Sequence, residues 1–527
     1  MMKLILLAAT IGLTSTPLGA RAAQDRPAPV IVTPPAAPAP ASAPGDVDAA
    51  RAAVANADLG RVSTDRAYAE QYVQNLDRIL AAANGDPRIE VAVDSLKLVA
   101  LPILDRKDEA RAAIDRLLGQ RSRDVPFYVT PLYAAITIRD DARTVAVVET
   151  ASQNVPGVEW AHLRQVLDRQ TMGSLLFGLK IRNQVALRAR LASALFRIGW
   201  PGPDELESSD ILRNILIDDH LGRGDNAQAM AIAQGVATPD SVLTMIVLRK
   251  YDPILAPGQD RLGLLRAALV DRDRSSTEAI SSATPSARQV LGRVQYLRSL
   301  GRNADALVLL QPFLRDVPAT VSASEEGMWL VNEAAYALIA LGRTDEALRV
   351  MRPLVALPVA GNGGLIGPDI NFAAILWETG HPQDAIDYAA RLERESGQFA
   401  NDFGKLWLAS ATACSLASLH RTAEAAPQLE RLRSGRDTNP AAATRAFLCV
   451  GDDEAAAALM IHRLESDDPG DAILALQDFT LSSGPSQTGE IFDRLVALRQ
   501  RAEVRTALER VGRVLSLPLA RTYWGGF

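Results

Sequence analysis

Residues Met328–Leu357, MWLVNEAAYALIALGRTDEALRVMRPLVAL, decide the fold. Apolar residues recur at helical spacing before and after Gly342, which predicts two amphipathic helices. Gly342 lies where the first helix must end, because a residue without Cβ adopts the left-handed cap conformation at low cost. Asp345 and Glu346 then meet the positive end of the second helix. The stretch therefore predicts a helical hairpin. Its two apolar stripes comprise Leu330, Ala334, Ala337, Leu338 and Leu341, then Ala347, Leu348, Met351, Leu354 and Val355.

The turn of this hairpin recurs along the chain. Its copies lie at 104–110, 221–227, 300–306, 341–347, 379–385, 419–425 and, in shortened form, 450–455. The alanines that end the four copies from 300 to 425 are 41, 38 and 40 residues apart. A near-constant period predicts helix pairs that bury their apolar faces by stacking on the next pair. From Asp46 onward no alternating strand pattern is found, so the sequence predicts no β-strand there.

These turns resemble the helix-turn-helix signature of tetratricopeptide-repeat proteins, in which an alanine follows the turn glycine by five residues. Leu341, Gly342 and Ala347 fit that signature. Two further copies fit it as well, namely Leu300, Gly301 and Ala306, and Leu221, Gly222 and Ala227. The period of 38–41 residues departs from the roughly 34 of that family. The resemblance implies an all-α fold, an α-solenoid of stacked antiparallel helix pairs that form a right-handed superhelix.

Changes in composition and the positions of turn-forming residues divide the chain into six segments. The predicted segments are a signal peptide at 1–22, a Pro/Ala-rich linker at 23–45, divergent helical repeats at 46–250, a candidate hinge at 251–285, the clearest repeats at 286–465, and C-terminal helices with an aromatic tail at 466–527.

The N-terminus has the three parts of a secretory signal. Lys3 supplies a positive charge, Leu4–Leu13 an apolar run, and Ala20-Arg21-Ala22 a cleavage site. The apolar run is too short to span a membrane as a helix. We therefore expect export into the periplasm. Removal of residues 1–22 changes the formal charge from −6 to −8, which argues against a nucleic-acid partner.

The linker is rich in proline. Seven of the residues 26–45 are proline, which blocks helix and sheet and favours extended polyproline II. It is interpreted as a semi-rigid spacer, with a docking ligand or a span toward the cell wall as the alternatives.

The chain contains two cysteines, Cys414 and Cys449. Each lies in an apolar helical run, about five residues and about one residue before the following turn. If the two helices are parallel and their turns are level, this offset exceeds the reach of a disulfide. The sequence favours two buried free thiols, with a disulfide as the alternative.

The predicted first helices of the repeats carry aromatic and polar side chains opposite their core stripes. In the superhelix that the resemblance implies, they line a concave surface that binds a partner. These candidates are Arg288, Gln295, Arg298, Trp329, Asn332, Tyr336, Trp377, Glu378, Trp407 and Ser410. The alternative is that the tryptophans pack between repeats.

The aromatic C-terminus has two interpretations. Tyr523, Trp524 and Phe527 either fold back on the last helix or form a docking tail for another protein.

No catalytic constellation is found in the sequence. Five histidines are scattered without metal spacing, and there is no G-x-S-x-G elbow. Glu395-Ser396 is similar to the catalytic segment of lytic transglycosylases, but the Gly-Leu-Met-Gln motif expected after it is missing. We expect no metal, no cofactor and no catalysis. The leading hypothesis is a periplasmic scaffold or adaptor that binds a protein or peptide in the cell envelope, in envelope assembly or polysaccharide export. The alternative is a protein that binds or cleaves glycans.

Overall fold

The structure is a computed structural model that describes residues 45–202, 206–360, 362–481 and 488–522. Helices account for nearly all the regular structure in these residues, so the all-α class is confirmed. None of the helices described is long and apolar enough to cross a membrane. The signal peptide, nearly all of the linker, and the aromatic tail with Tyr523, Trp524 and Phe527 lie outside the described residues.

The chain forms two compact units that meet in sequence at Gly235 and Val236. This boundary precedes the predicted hinge. Residues 251–285 contain a 3₁₀ segment at Arg249–Ile254 and a long helix at Arg261–Ile280, which Asp260 caps by accepting a hydrogen bond from the amide of Gly263.

The N-terminal unit is a series of helices that pack on helices near them in sequence. Its helices are α1 (Gly45–Ala55), α2 (Leu59–Val62), α3 (Arg66–Ala82), α4 (Pro87–Ala100), α5 (Lys107–Gly119), α6 (Val125–Thr137), α7 (Asp141–Asn154), α8 (Trp160–Val166), α9 (Arg169–Ile181), α10 (Val185–Arg197), α11 (Leu206–Gly222) and α12 (Asn226–Ala233). Two apolar cores hold this unit, one between Val62 and Leu104 and a larger one between Leu98 and Leu216.

The C-terminal unit is also built from helices and has two short strands in its described residues. Its elements are α13 (Pro239–Val247), α14 (Arg261–Ile280), α15 (Ala287–Ser299), α16 (Asn303–Leu310), α17 (Val317–Ala323), α18 (Glu326–Ala340), α19 (Thr344–Val355), α20 (Ile366–Glu378), α21 (Pro382–Ser396), α22 (Asp402–Ser418), α23 (Thr422–Ser434), α24 (Pro440–Val450), α25 (Asp453–Leu464), α26 (Gly470–Ala475), β1 (Asp478–Leu481), α27 (Thr488–Gln500), α28 (Ala502–Val511) and β2 (Ser516–Ala520). Here α18 packs on α19, α20 on α21 and α22 on α23, and each first helix also contacts the first helix of the next pair.

The predicted hairpin turn is confirmed. Each turn contains one residue in the left-handed conformation, with φ between 58° and 85°, and each next helix begins two residues later. These residues are Asp105, Gly224, Gly301, Gly342, Gly380, His420 and Gly451. Ala347, in the second helix of the central hairpin, is fully buried against the first. In the last turn the buried alanine is Ala456 rather than Ala455.

The predicted register of one turn is wrong. α11 continues through Gly222, and the left-handed residue is Gly224. The packed alanine is accordingly Ala229, which is fully buried, whereas Ala227 is exposed. Two glycines close together in sequence made the two registers indistinguishable without the packing.

The prediction that no strand follows Asp46 is also wrong. β1 and β2 form a parallel two-stranded sheet, in which Asp478 pairs with Ser516 and Phe479 with Leu517. Strands of four and five residues are too short for their alternation to be detected in a sequence.

The first and last elements of the C-terminal unit are joined. Arg513 donates to both carboxylate oxygens of Asp252, at 2.7 and 2.6 Å, and its amide donates to the carbonyl of Val247 at 2.9 Å. Leu248 and Gly512 form an antiparallel bridge at the same place. We call this set of contacts the closure. It connects residues about 260 positions apart in sequence.

The prediction of two free thiols is wrong, because Cys414 and Cys449 form a disulfide with their Cα atoms 5.1 Å apart. The prediction assumes that the C-terminal turns of α22 and α24 lie at the same height. The structure instead aligns their N-terminal ends, since Asn439 at the start of α24 donates to the carbonyl of Phe403 near the start of α22. Counted from Phe403 and Asn439, the two cysteines lie 11 and 10 residues along their helices, since 414 − 403 = 11 and 449 − 439 = 10, and α22 extends further beyond its cysteine.

Substitution of Gly512 by alanine should destabilise the closure. A Cβ there would lie 1.7 Å from Ile473 Cδ1 and 2.7 Å from the carbonyl oxygen of Val247. We expect Gly512→Ala to lower the free energy of unfolding by about 1–3 kcal/mol, the usual cost of overpacking, in chemical denaturation. Gly489→Ala is the control, because its Cβ would meet no atom within 4 Å. Equal stabilities of the two variants would contradict the packing described for the closure.

Removal of the disulfide should destabilise the C-terminal unit. The bridge closes a loop of 35 residues, for which the chain-entropy relation gives about 4 kcal/mol. We expect Cys414→Ala/Cys449→Ala to unfold at lower denaturant than the wild type and to be insensitive to dithiothreitol. The wild type should shift toward the variant when it is reduced. A wild-type denaturation curve that does not respond to complete reduction would show that the bridge contributes nothing.

Candidate functional site

The structure buries most of the side chains predicted to line a binding surface. Arg298, Trp329, Asn332, Tyr336, Trp377, Glu378 and Ser410 are buried, Gln295 and Trp407 are half-buried, and Arg288 is exposed. Throughout Gly327–Ile339 every residue of α18 is buried, including the side opposite its core stripe. The residues face other parts of the protein rather than open solvent, and their arrangement decides what they can do.

One ion pair joins α15 to α18. Arg298 and Glu333 form a salt bridge in which the exposed fractions of the two side chains are 5% and 0%. Gln295 donates from Nε2 to the other carboxylate oxygen of Glu333 at 3.2 Å. The guanidinium of Arg298 also lies 5.4 Å from the ring centroid of Tyr336, within cation–π distance. A helical turn of α15 is thus fixed to the middle of α18.

A second buried ion pair joins α20 to α24. Arg445 donates from Nη2 to Oε1 of Glu378 at 2.7 Å. Its guanidinium lies 4.8 Å from the ring of Trp377 and 6.0 Å from that of Trp407. Burial raises the pKa of Glu378, and the charges of Arg445 and Arg298 partly offset this rise. Because Arg298 acts on Glu378, the two ion pairs lie within electrostatic reach of each other.

Three polar side chains recur along the first helices with one repeat between them. Asn332, Asn371 and Ser410 are 39 residues apart in each step and lie on α18, α20 and α22. Asn371 donates from Nδ2 to Oδ1 of Asn332 at 3.1 Å. Within the described part of the chain, Nδ2 of Asn332 and Oγ of Ser410 have no hydrogen-bond partner, although both side chains are fully buried.

We call this set of buried residues and their ion pairs the polar cluster. It comprises Gln295, Arg298, Asn332, Glu333, Asn371, Glu378, Ser410 and Arg445. Further atoms of the cluster without a partner among the described residues are Nε of Arg298 and Oε1 of Gln295. An unpaired buried polar atom costs about 1–3 kcal/mol. These unpaired atoms are hydrogen-bonding capacity that the described residues leave unused.

Sequence reasoning missed three members of the cluster, Glu333, Asn371 and Arg445. Each of them lies inside an apolar helical run, as Arg445 does in ATRAFLCVG. A charged or amide residue surrounded by apolar residues in a helix was the available signal, because such a residue is seldom buried without a partner. The partner itself could not be identified, since Arg445 and Glu378 are 67 residues apart.

The remaining candidates are placed outside the cluster or fix its surroundings. Arg288 donates to Glu326 at 2.6 Å on the surface. Trp377 donates from Nε1 to Oγ of Ser418 at 2.9 Å, which fixes its ring between α20 and α22. In the described ranges, no three His, Cys, Asp or Glu side chains are grouped closely enough to hold a metal ion.

Comparison with models of known protein families gives no match, and no curated protein matches the chain in sequence. The polar cluster must therefore be interpreted from its own chemistry.

Neutralisation of Glu333 should lower the free energy of unfolding far more than the same change in an exposed ion pair. Glu333→Gln leaves the buried guanidinium of Arg298 without its counter-charge, and we expect the free energy of unfolding to fall by about 3 kcal/mol in chemical denaturation. The control is Glu346→Gln on the adjacent helix α19. Glu346 pairs with Arg343, but the exposed fractions of those side chains are 39% and 48%.

We expect no measurable change in the stability of the control, because exposed ion pairs contribute little. If Glu333→Gln were as stable as the control, the ion pair of the polar cluster would not be the buried contact described above.

Proposed function

We propose that this protein is a non-catalytic binding protein of the cell envelope that holds a segment of another exported protein, or a peptide, at the polar cluster. Its helix pairs would act as a scaffold of the tetratricopeptide-like kind, and the elements that cover the first helices would have to move aside for the ligand to reach the cluster. The observation that carries the proposal is the line of buried side chains Asn332, Asn371 and Ser410, in which Nδ2 of Asn332 and Oγ of Ser410 have no hydrogen-bond partner among the described residues.

The unpaired atoms favour a ligand with many hydrogen-bond acceptors. Nδ2 of Asn332 and Nε of Arg298 can only donate, the hydroxyl of Ser410 can donate or accept, and Oε1 of Gln295 is the one atom of the four that can only accept. An extended peptide presents backbone carbonyls at a regular spacing, and amide side chains that repeat along a row of helices suit such a backbone. The two acids of the cluster are each paired with an arginine, so the cluster carries no excess charge for a strongly charged ligand.

Two features support an envelope location. The sequence of the first 22 residues has the features of a secretory signal. The disulfide between Cys414 and Cys449 is of the kind that persists in oxidising compartments such as the bacterial periplasm. A place in envelope assembly or polysaccharide export is the narrower form of the proposal.

The aromatic rings give less support to the glycan alternative. Sugar binding by stacking needs an open ring face, and the guanidinium of Arg445 lies near the rings of both Trp377 and Trp407. The carboxylates of Glu333 and Glu378, the two acids of the cluster, are likewise held by arginines. The alternative remains an outcome of the experiment below.

Ser410→Ala should separate binding from stability. Because the hydroxyl of Ser410 is buried and has no partner in the described residues, its removal should leave the free energy of unfolding unchanged or raise it by up to about 1 kcal/mol. If the hydroxyl contacts the ligand, capture of the partner should fall several-fold. Proteins crosslinked to the mature chain in its native envelope, identified and quantified by mass spectrometry, provide the measurement.

The matched control is Ser415→Ala on the same helix. Ser415 is also fully buried, but its hydroxyl donates to the carbonyl of Ala411 within α22. It also lies about 140° around the helix from Ser410. We expect the control to capture the partner as the wild type does. Equal capture by both variants, or recovery of glycan without any protein, would overturn the proposed function.

A further inference from the structure

A cavity of about 800 Å³ that is open to solvent lies between α19, α20 and α21, away from the residues of the polar cluster. Residues 356–359, which follow α19, form one side of it. Its apolar lining residues include Val355, Leu357, Val359, Phe372, Leu376 and Leu392. Its volume is in the range of sites that hold small organic molecules.

A buried carboxyl group lines this cavity. Asp369, in the first turn of α20, is only 3% exposed. One of its oxygens accepts a hydrogen bond from the hydroxyl of Tyr388, which is buried as well. No donor in the described residues reaches its other oxygen. Burial raises the pKa of Asp369 to about 6, against the hydrogen bond of Tyr388 and the charge of Arg391. The carboxyl is therefore mostly ionised at neutral pH and half-satisfied.

The other charged groups of the cavity are exposed, and both signs are present. They are Arg352 on α19, and Asp384, Asp387, Arg391, Arg394 and Glu395 on α21. Within the described ranges, no salt bridge within 4.0 Å holds any of the three arginines. Arg391 lies over the ring of Tyr388, 4.9 Å from its centroid. Three arginines and four carboxylates, including Asp369, leave one net negative charge. Of the charged residues that line the cavity, Asp369 alone is buried.

We propose that this cavity binds a small organic amine, whose protonated nitrogen donates to the free oxygen of Asp369 while its apolar body packs among the aliphatic and aromatic side chains of the walls. An ammonium group supplies both the missing hydrogen bond and the counter-charge. A neutral alcohol supplies only the first, and a carboxylate supplies neither. The site is independent of the polar cluster.

Binding should depend on pH with a definite sign. The ionised form of Asp369 binds the ammonium, and this form decreases as the pH falls through the pKa of about 6. Between about pH 7.5 and about pH 5 the ionised fraction falls about tenfold, so the dissociation constant should rise about tenfold. The probe is 4-methylbenzylamine, which stays protonated over this range, measured on the mature full-length chain by calorimetry or by ligand-detected NMR.

Two companion probes and two variants decide the outcome. 4-Methylbenzyl alcohol and 4-methylbenzoate have the same apolar body, and both should bind at least tenfold more weakly at neutral pH. In Asp369→Asn, whose amide oxygen can still accept from Tyr388, the affinity for the amine should fall about tenfold and lose its pH dependence. Asp384→Asn removes an exposed carboxylate of the same cavity and should keep the wild-type profile. Circular dichroism confirms that both variants are folded.

Three results would overturn the proposal. Equal binding of the amine and the alcohol would show that Asp369 does not recognise charge. An unchanged profile in Asp369→Asn would place the amine elsewhere. Tightest binding of 4-methylbenzoate, lost in Arg391→Gln, would make the cavity a site for anions.

Discussion

The closure between Asp252 and Arg513 is the constraint on which the C-terminal unit depends. A series of stacked helix pairs normally contacts only its neighbours, so its terminal pairs have one uncovered side. Here the segment at 246–252 bonds to the segment at 509–513 through backbone and side chain together. Burial alone would raise the pKa of Asp252, but the hydrogen bonds and charges of Arg513 and Arg261 hold it below the ordinary value. The closure is therefore strongest above pH 4 and weakens as Asp252 is protonated.

The polar cluster lies in the same unit as the closure, and its buried polar groups carry a cost in stability. Two buried ion pairs and a row of amide and hydroxyl groups cost stability compared with an apolar interior of the same volume. The disulfide lies one helical turn from two members of the cluster, Ser410 on α22 and Arg445 on α24, and holds those helices together. In the proposed function this cost would be offset when the ligand binds, as in a preorganised site.

Local features could be predicted from the sequence, and distant contacts could not. The bounds of α18 and α19 and the left-handed Gly342 follow from spacing and backbone sterics within thirty residues. To predict the disulfide, one would need the relative height of α22 and α24 along their axes. The packing at Asn439 sets that height, and the turns do not. Likewise, no sequence pattern shows that other elements cover the face of α18 to which Trp329 and Asn332 were assigned. The partners Arg445 and Glu378 are recognisable only in three dimensions.

Native-state hydrogen exchange of the mature chain, resolved by peptide mass spectrometry, tests the closed framework most directly. If the closure joins the ends of the unit, the free energy of opening measured for amides at Tyr251 and in α28 should equal that measured for amides in α18. An open series of repeats would instead exchange progressively faster toward both ends, because its terminal pairs unfold first. The account predicts one common opening free energy from Tyr251 to Val511, and a gradient from the centre to the ends would contradict it.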